Sequence, residues 1–124
     1  MENGMSEKVA FIGLGVMGYP MAGHLATKGH DVTVFNRNSA RAKAWVAEHG
    51  GTSAGTPKAA ASGAGIIFAC VGADNDLRQV TLGPDGIYAG MEKGAVFVDH
   101  TTASADVARE MHGEAKERGL GFID

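Results

Sequence analysis

The stretch KVAFIGLGVMGYPMAGHLATKGHDVTVF, residues 8–35, decides the fold. Its first five residues form an apolar run of strand length, and three glycines with the spacing G-x-G-x-x-G follow directly. Helical spacing then continues to about Lys28, with one apolar face made of Met17, Met21 and Leu25. Since Asp31–Phe35 is again rich in β-branched and aromatic residues, the stretch predicts a strand, a tight turn, a helix and a second strand.

The rest of the chain repeats this alternation of short apolar runs and longer helical segments. Further strands are predicted at residues 52–53, 66–71, 95–98 and 121–123. Helices are predicted at residues 39–49 and 76–82, with short helices near residues 57 and 88 and a last helix that ends at about residue 118. Strands that alternate with helices predict the α/β class, here a Rossmann fold with a doubly wound, parallel, six-stranded sheet in a single domain. We expect residues 7–124 to form this domain and residues 1–6 to be a flexible leader.

Composition narrows the classes of partner. Of 124 residues, 44% are hydrophobic and 20% charged, which suits one compact domain, and a net charge of −3 disfavours nucleic acid as a partner. The apolar run after Lys8 is interrupted by glycines and preceded by Glu2 and Glu7, so it predicts neither a signal peptide nor a membrane span. The single cysteine, Cys70, excludes an internal disulfide and fits a reducing compartment, so we expect a cytoplasmic protein.

The glycine motif predicts a dinucleotide site, because it lies between a strand and a helix. Gly13 would make the tight turn, Gly15 would let a pyrophosphate approach the backbone, and Gly18 would let helix and strand pack closely. The alternative is a tight turn with no ligand. The residues predicted to bind are Gly13, Leu14, Gly15, Val16, Met17 and Gly18.

The end of the second strand bears on the choice between NAD and NADP. An acidic residue there would bind a free ribose 2′-hydroxyl, whereas this chain has Asn36, Arg37 and Asn38. Because a carboxylate about 4 Å from a 2′-phosphate would cost a few kcal/mol, its replacement by Asn36 and the presence of Arg37 favour NADP, with NAD still possible. The alternative is that Asn38 only caps the next helix and Arg37 points into solvent.

Further candidates follow the later strands. Cys70 is expected to offer a backbone contact at most, and Thr102 would donate a hydrogen bond to the cofactor or only cap a helix. Asp99 and His100 are adjacent on a strand and would point to opposite faces, so no acid–base pair is predicted. The spacing of the histidines predicts no metal site.

The segment GLGVMGYPMAGHLATKGHDVTVFNR, the Asp99–Thr102 run before a helix and the final FID resemble the β-hydroxyacid dehydrogenases, the family of 3-hydroxyisobutyrate and 6-phosphogluconate dehydrogenases. The resemblance implies that Gly13–Gly18, then Cys70, Val71 and Asn75, and finally Thr102 contact the cofactor. It also implies hydride transfer with a small β-hydroxyacid or semialdehyde. The Asn36–Arg37 pair is similar to members that use NADPH.

In that family a helical second domain supplies the catalytic lysine and substrate contacts. No lysine of this chain is assigned that role, so we assign no catalytic residue and expect the chain alone to bind cofactor without turnover. We expect self-association through the surface that such a domain would cover. The alternative is a stand-alone nucleotide-binding or sensing module.

Overall fold

The computed structural model describes residues 7–101 and 104–124 of the chain. Strands and helices alternate through these ranges, as the sequence predicts. The strands are β1 Lys8–Ile12, β2 Asp31–Phe35, β3 Thr52–Ser53, β4 Ile66–Ala69, β5 Val96–Asp99 and β6 Gly121–Ile123. The helices are α1 Gly18–Thr27, α2 Ser39–His49, α3 Pro57–Ala61, α4 Asp74–Leu82, α5 Ile87–Gly90 and α6 Ala105–Glu117.

All six strands join one parallel sheet in the order β3-β2-β1-β4-β5-β6. The chain starts at the centre, winds outward to β3, returns to the other side of β1 and continues to β6. This doubly wound order confirms the predicted Rossmann fold. It places the end of β1 between the ends of β2 and β4, where open α/β sheets hold their ligands.

Two apolar cores cover the two faces of the sheet. Val9 and Phe11 of β1 pack in the cluster that contains Trp45 of α2, whereas Ala10 and Ile12 belong to the cluster on the opposite face with residues of α3 to α6. Burial on both faces explains why β1 is a continuous apolar run instead of an alternating one. Among the described residues, none of the helices is long and apolar enough to cross a membrane.

The predicted apolar stripe of α1 is confirmed for Met21 and Leu25, which pack against the cluster that contains Trp45, but not for Met17. Met17 is 65% exposed and Met21 and Leu25 are half-buried, while the helix buries Gly18 and Ala22 against the sheet. A Cβ atom on Gly18 would lie 2.1 Å from the carbonyl oxygen of Gly13. At Gly18 the helix approaches the turn after β1 so closely that no larger residue fits there.

Several predicted boundaries also shift, and β5 spans Val96–Asp99 instead of residues 95–98. β4 ends at Ala69 instead of residue 71, because the amide of Cys70 still donates to Ile12 but the amide of Val71 donates to the hydroxyl of Thr101. Helix α4 begins at Asp74, two residues earlier than predicted. Carboxylates in its first turn favour this start, because the N-terminal end of a helix carries partial positive charge.

Candidate functional site

Gly13 occupies a position that no other residue could fill. Its φ angle is +99°, and a Cβ atom there would lie 2.3 Å from the carbonyl oxygen of Cys70. Its amide donates to the carbonyl of Phe35 over 2.8 Å. Because Gly13 has no side chain, the turn after β1 can fit closely between the ends of β2 and β4.

The other two glycines of the motif differ from each other. Gly18 faces Gly13 across the helix–strand contact described above, so it has a packing role. A Cβ atom on Gly15 would meet nothing within 4 Å. Within the described residues, the backbone amides of Gly15, Val16 and Met17 donate no hydrogen bond to the protein. Open space beside free N–H groups at a helix N-terminus suits a bound phosphate group.

A cavity of about 420 Å³ extends from this loop across the carboxyl edge of the sheet. Ten of the predicted cofactor contacts line it, namely Gly13, Leu14, Gly15, Val16, Met17, Gly18, Asn36, Arg37, Cys70 and Val71. The structure adds Ile12, Phe35, Gly72, Asp76 and Val80 to its walls. Asn38 and Asn75 are not among the lining residues, and Thr102 lies outside the described residues.

Asn36 holds the glycine loop in place. Its Oδ1 accepts a 2.9 Å hydrogen bond from the amide of Leu14, and its Nδ2 donates to the carbonyl of Asn38 over 3.1 Å. The side chain thus joins the turn after β1 to the turn after β2. Sequence reasoning treated Asn36 only as a neutral substitute for an acidic residue and missed this role.

The alternative interpretation of these two residues is correct for Asn38 but not for Arg37. Asn38 does cap α2, because its side chain accepts from the amides of Ala40 and Arg41. Arg37 does not point freely into solvent: one guanidinium nitrogen lies 3.1 Å from both Asp76 Oδ1 and Gln79 Oε1 on α4. Arg37 therefore reaches across the cavity from the end of β2 to α4.

Arg41 is a site residue that sequence reasoning missed. From the first turn of α2 its guanidinium donates to the carbonyls of Leu14 and Gly15, and it lies 4.6 Å from the centre of the Tyr19 ring. The hydroxyl of Tyr19 donates to Glu48 over 2.9 Å, and this bond is the main cause of the raised pKa of Tyr19. The available signal was a second arginine one helical turn after Arg37.

The loops after β4 and β5 are linked at the opposite end of the cavity. Thr101 Oγ1 accepts from the amide of Val71 over 3.0 Å, and the amide of Thr101 donates to Asp99 over 2.8 Å. Burial raises the pKa of Asp99, and hydrogen bonds to it from the side chain and the amide of Thr101 oppose the shift. A second link runs from the amide of Ser104 to Asp74 over 2.8 Å.

The titratable side chains described at this end of the cavity include Asp99, His100 and Cys70. The side chain of Asp99 is buried, whereas His100 is exposed and stacks near Phe68, which agrees with the prediction that they form no pair. Burial, and then the charge of Asp99, raise the pKa of Cys70, so its thiolate is disfavoured. Among residues 7–101 and 104–124, His, Cys, Asp and Glu form no group that could hold a metal ion.

Open space at Gly15, neighbouring backbone amides that donate to no described protein group, and the arginines Arg37 and Arg41 near the end of β2 are the features of a dinucleotide-binding α/β domain. Comparison with known proteins identifies the family to which the chain belongs. Residues 8–124 match the family described as the NAD binding domain of 6-phosphogluconate dehydrogenase. The predicted resemblance is confirmed.

Individual relatives agree with this assignment. The chain is 62% identical over 117 residues to an uncharacterized oxidoreductase of Shewanella frigidimarina, covering 94% of this chain and 40% of that protein. It is 35% identical to a probable mitochondrial 3-hydroxyisobutyrate dehydrogenase-like protein of Arabidopsis thaliana, covering 94% and 39%. The structure of Mycobacterium tuberculosis 3-hydroxyisobutyrate dehydrogenase with L-serine superposes with a TM-score of 0.85 at 28% identity, covering 95% and 39%. The chain thus spans about two fifths of the length of these relatives.

Proposed function

We propose that this chain is the NADP(H)-binding domain of an oxidoreductase. In that enzyme, hydride would pass between the nicotinamide cofactor and a small β-hydroxyacid or its semialdehyde. The observation that carries the proposal is the cavity above Gly15, which leads from free backbone amides to the pair Asn36 and Arg37. Family membership supports the cofactor class and the oxidoreductase class.

The charge at the end of β2 favours NADP over NAD. Asn36 is half-buried beside the cavity and neutral, so a 2′-phosphate there meets no carboxylate from the strand end. Arg37 and Arg41 both reach the region of the cavity and are permanently charged. A cation about 4 Å from a phosphate charge stabilises it by a few kcal/mol at an effective dielectric constant of 20, before screening by salt.

The residues of this chain would bind and orient the cofactor, which itself supplies the hydride chemistry. We propose that all thirteen predicted residues contact it, including Asn38, Asn75 and Thr102 beside the ten that line the cavity. No lysine or histidine lines the described cavity, so the proton donor for the reaction would come from elsewhere in the whole enzyme. We propose a cytoplasmic location for this chain.

The cofactor preference is tested by calorimetric titration of the chain with NADPH and with NADH. NADPH should bind at least tenfold more tightly. Asn36→Asp should narrow or reverse this ratio, because the carboxylate still accepts from Leu14 but repels a 2′-phosphate. Ala44→Glu is the control, since it adds one negative charge on an exposed position of α2 away from the cavity lining. Equal affinities for the two cofactors in the unmodified chain would refute the preference.

Turnover is tested on the same preparation. The chain should bind NADPH yet neither reduce glyoxylate nor oxidise 3-hydroxyisobutyrate, because substrate positioning and proton transfer each supply orders of magnitude in rate. Sustained turnover by pure protein, followed as absorbance of the reduced cofactor, would show that a residue of this chain is catalytic after all.

A further inference from the structure

We propose that Asp76 sets the strength of the cofactor preference by competing with a 2′-phosphate for Arg37. Both residues line the same cavity, one at the end of β2 and the other in the first turn of α4. Arg37 and Asp76 are 39 positions apart in the chain, and their contact closes a bridge across the cavity wall. The inference rests on the proposed use of NADP(H).

The bridge uses the charge that the phosphate would need. One nitrogen of Arg37 lies 3.1 Å from Asp76 Oδ1, and the same nitrogen lies 3.1 Å from Gln79 Oε1. The side chain of Arg37 is 70% exposed and that of Asp76 is 37% exposed, so solvent and ligands can reach the pair. Because the carboxylate neutralises the guanidinium, a 2′-phosphate must either displace Asp76 or accept its repulsion.

Gly72 makes the position of Asp76 possible. A Cβ atom on Gly72 would lie 2.7 Å from Oδ2 of Asp76, which is shorter than real Cβ atoms show. Any side chain at position 72 would therefore push the carboxylate away from its present place at the cavity wall. Gly72 lines the cavity as well, so Gly72 and Asp76 lie together in the part of the cavity wall that contacts Arg37.

The affinities of the two cofactors should depend differently on Asp76. NADPH carries a 2′-phosphate that competes directly with the carboxylate of Asp76. NADH has a neutral 2′-hydroxyl at that position, and its affinity should depend little on Asp76. Asp76 thus acts against the preference that Arg37 creates, and its removal should increase the ratio of the two affinities.

The test is the substitution Asp76→Asn, measured by titration with NADPH and NADH at one fixed salt concentration. We expect the Kd for NADPH to fall at least threefold and the Kd for NADH to change less than twofold. The matched control is Asp106→Asn, which removes an exposed aspartate paired with Arg109 on α6, away from the cavity lining. It should change neither Kd. Thermal melts of each variant check that the domain is folded.

Two further variants separate the possible results. In an Arg37→Ala background, Asp76→Asn should lower the Kd for NADPH less than threefold, because the competition requires the guanidinium. Gly72→Ala should also change the ratio, since it displaces the carboxylate without removing its charge, and an unchanged ratio would contradict a role for the position of Asp76.

The inference is overturned if Asp76→Asn leaves the ratio unchanged, or weakens both cofactors equally, while Arg37→Ala still lowers NADPH affinity. The proposed NADP preference fails separately if the unmodified chain and Arg37→Ala each bind the two cofactors equally.

Discussion

Gly15 and Gly18 should respond to substitution in opposite ways, although both belong to one motif. At Gly15 a new Cβ atom meets no protein atom within 4 Å, so Gly15→Val should change the free energy of unfolding by no more than about 0.5 kcal/mol. At Gly18 a Cβ atom would lie 2.1 Å from the carbonyl oxygen of Gly13, so α1 must move away from the sheet. Overpacking of this kind costs about 1–3 kcal/mol.

Cofactor binding, unlike stability, should be highly sensitive to substitution of Gly15. The valine side chain would fill the space beside the free amides and block two or more charge-assisted hydrogen bonds, each worth about 1.5–3 kcal/mol. A loss of about 3 kcal/mol or more corresponds to at least about a hundredfold weaker binding. Gly15→Val should therefore be folded and unable to bind.

Thermal denaturation and calorimetric titration on the same samples decide between these expectations. For a chain of 124 residues, Gly18→Ala should lower Tm by on the order of 4–12 °C, at roughly 4 °C per kcal/mol. The control is Gly83→Val, at a glycine with extended backbone and open space that lies outside the cavity lining; it should bind normally. The reasoning fails if Gly15→Val unfolds, or if it binds within threefold of the unmodified chain.

Two further predictions concern stability. Gly113→Ala should stabilise the protein by about 0.5–1 kcal/mol, because Gly113 lies inside α6 with nothing within 4 Å of a new Cβ; a Tm that does not rise contradicts this. Hydrogen bonds from Ser104 hold the pKa of Asp74 below 3.8, so its ionised form adds stability that is present above pH 3.8 and lost as the pH falls through the lower folded-state pKa. Asp74→Asn should therefore unfold at lower urea than the unmodified chain at pH 7, and the difference should shrink towards pH 3; a difference independent of pH would argue against the ionised carboxylate as its source.

The fold could be predicted from sequence because its signals are local. Apolar runs such as β1 and β4, glycines at their ends, and helical spacing between them identify each element within about twenty residues. Parallel pairing then follows from the helical connections. The inner face of α1 was predicted only in part: hydrophobic spacing identifies Met21 and Leu25, but it does not reveal that the close contact at Gly18 requires a glycine.

The glycine loop and the end of β2 were predictable from a motif with fixed spacing, and both line the cavity. Cys70 and Val71 after β4 line it too, and they were predicted from the family resemblance. The bridge from Arg37 to Asp76 was not predictable, because it joins the end of β2 to the first turn of α4 through side-chain geometry that no spacing specifies. The same holds for Arg41, whose contact with the loop carbonyls depends on the orientation of α2 against the end of β1.

Asn36 shows why cofactor choice and loop structure are not independent in this domain. Its Oδ1 accepts from Leu14 and its Nδ2 donates to the carbonyl of Asn38, so one side chain needs both an acceptor and a donor. An aspartate at position 36 keeps the acceptor but directs a second oxygen at that carbonyl, where no proton is available. A switch towards NAD by Asn36→Asp alone therefore combines repulsion of the 2′-phosphate with a weakened turn before α2. A second change that frees the carbonyl of Asn38 from this contact would be needed to separate the two effects.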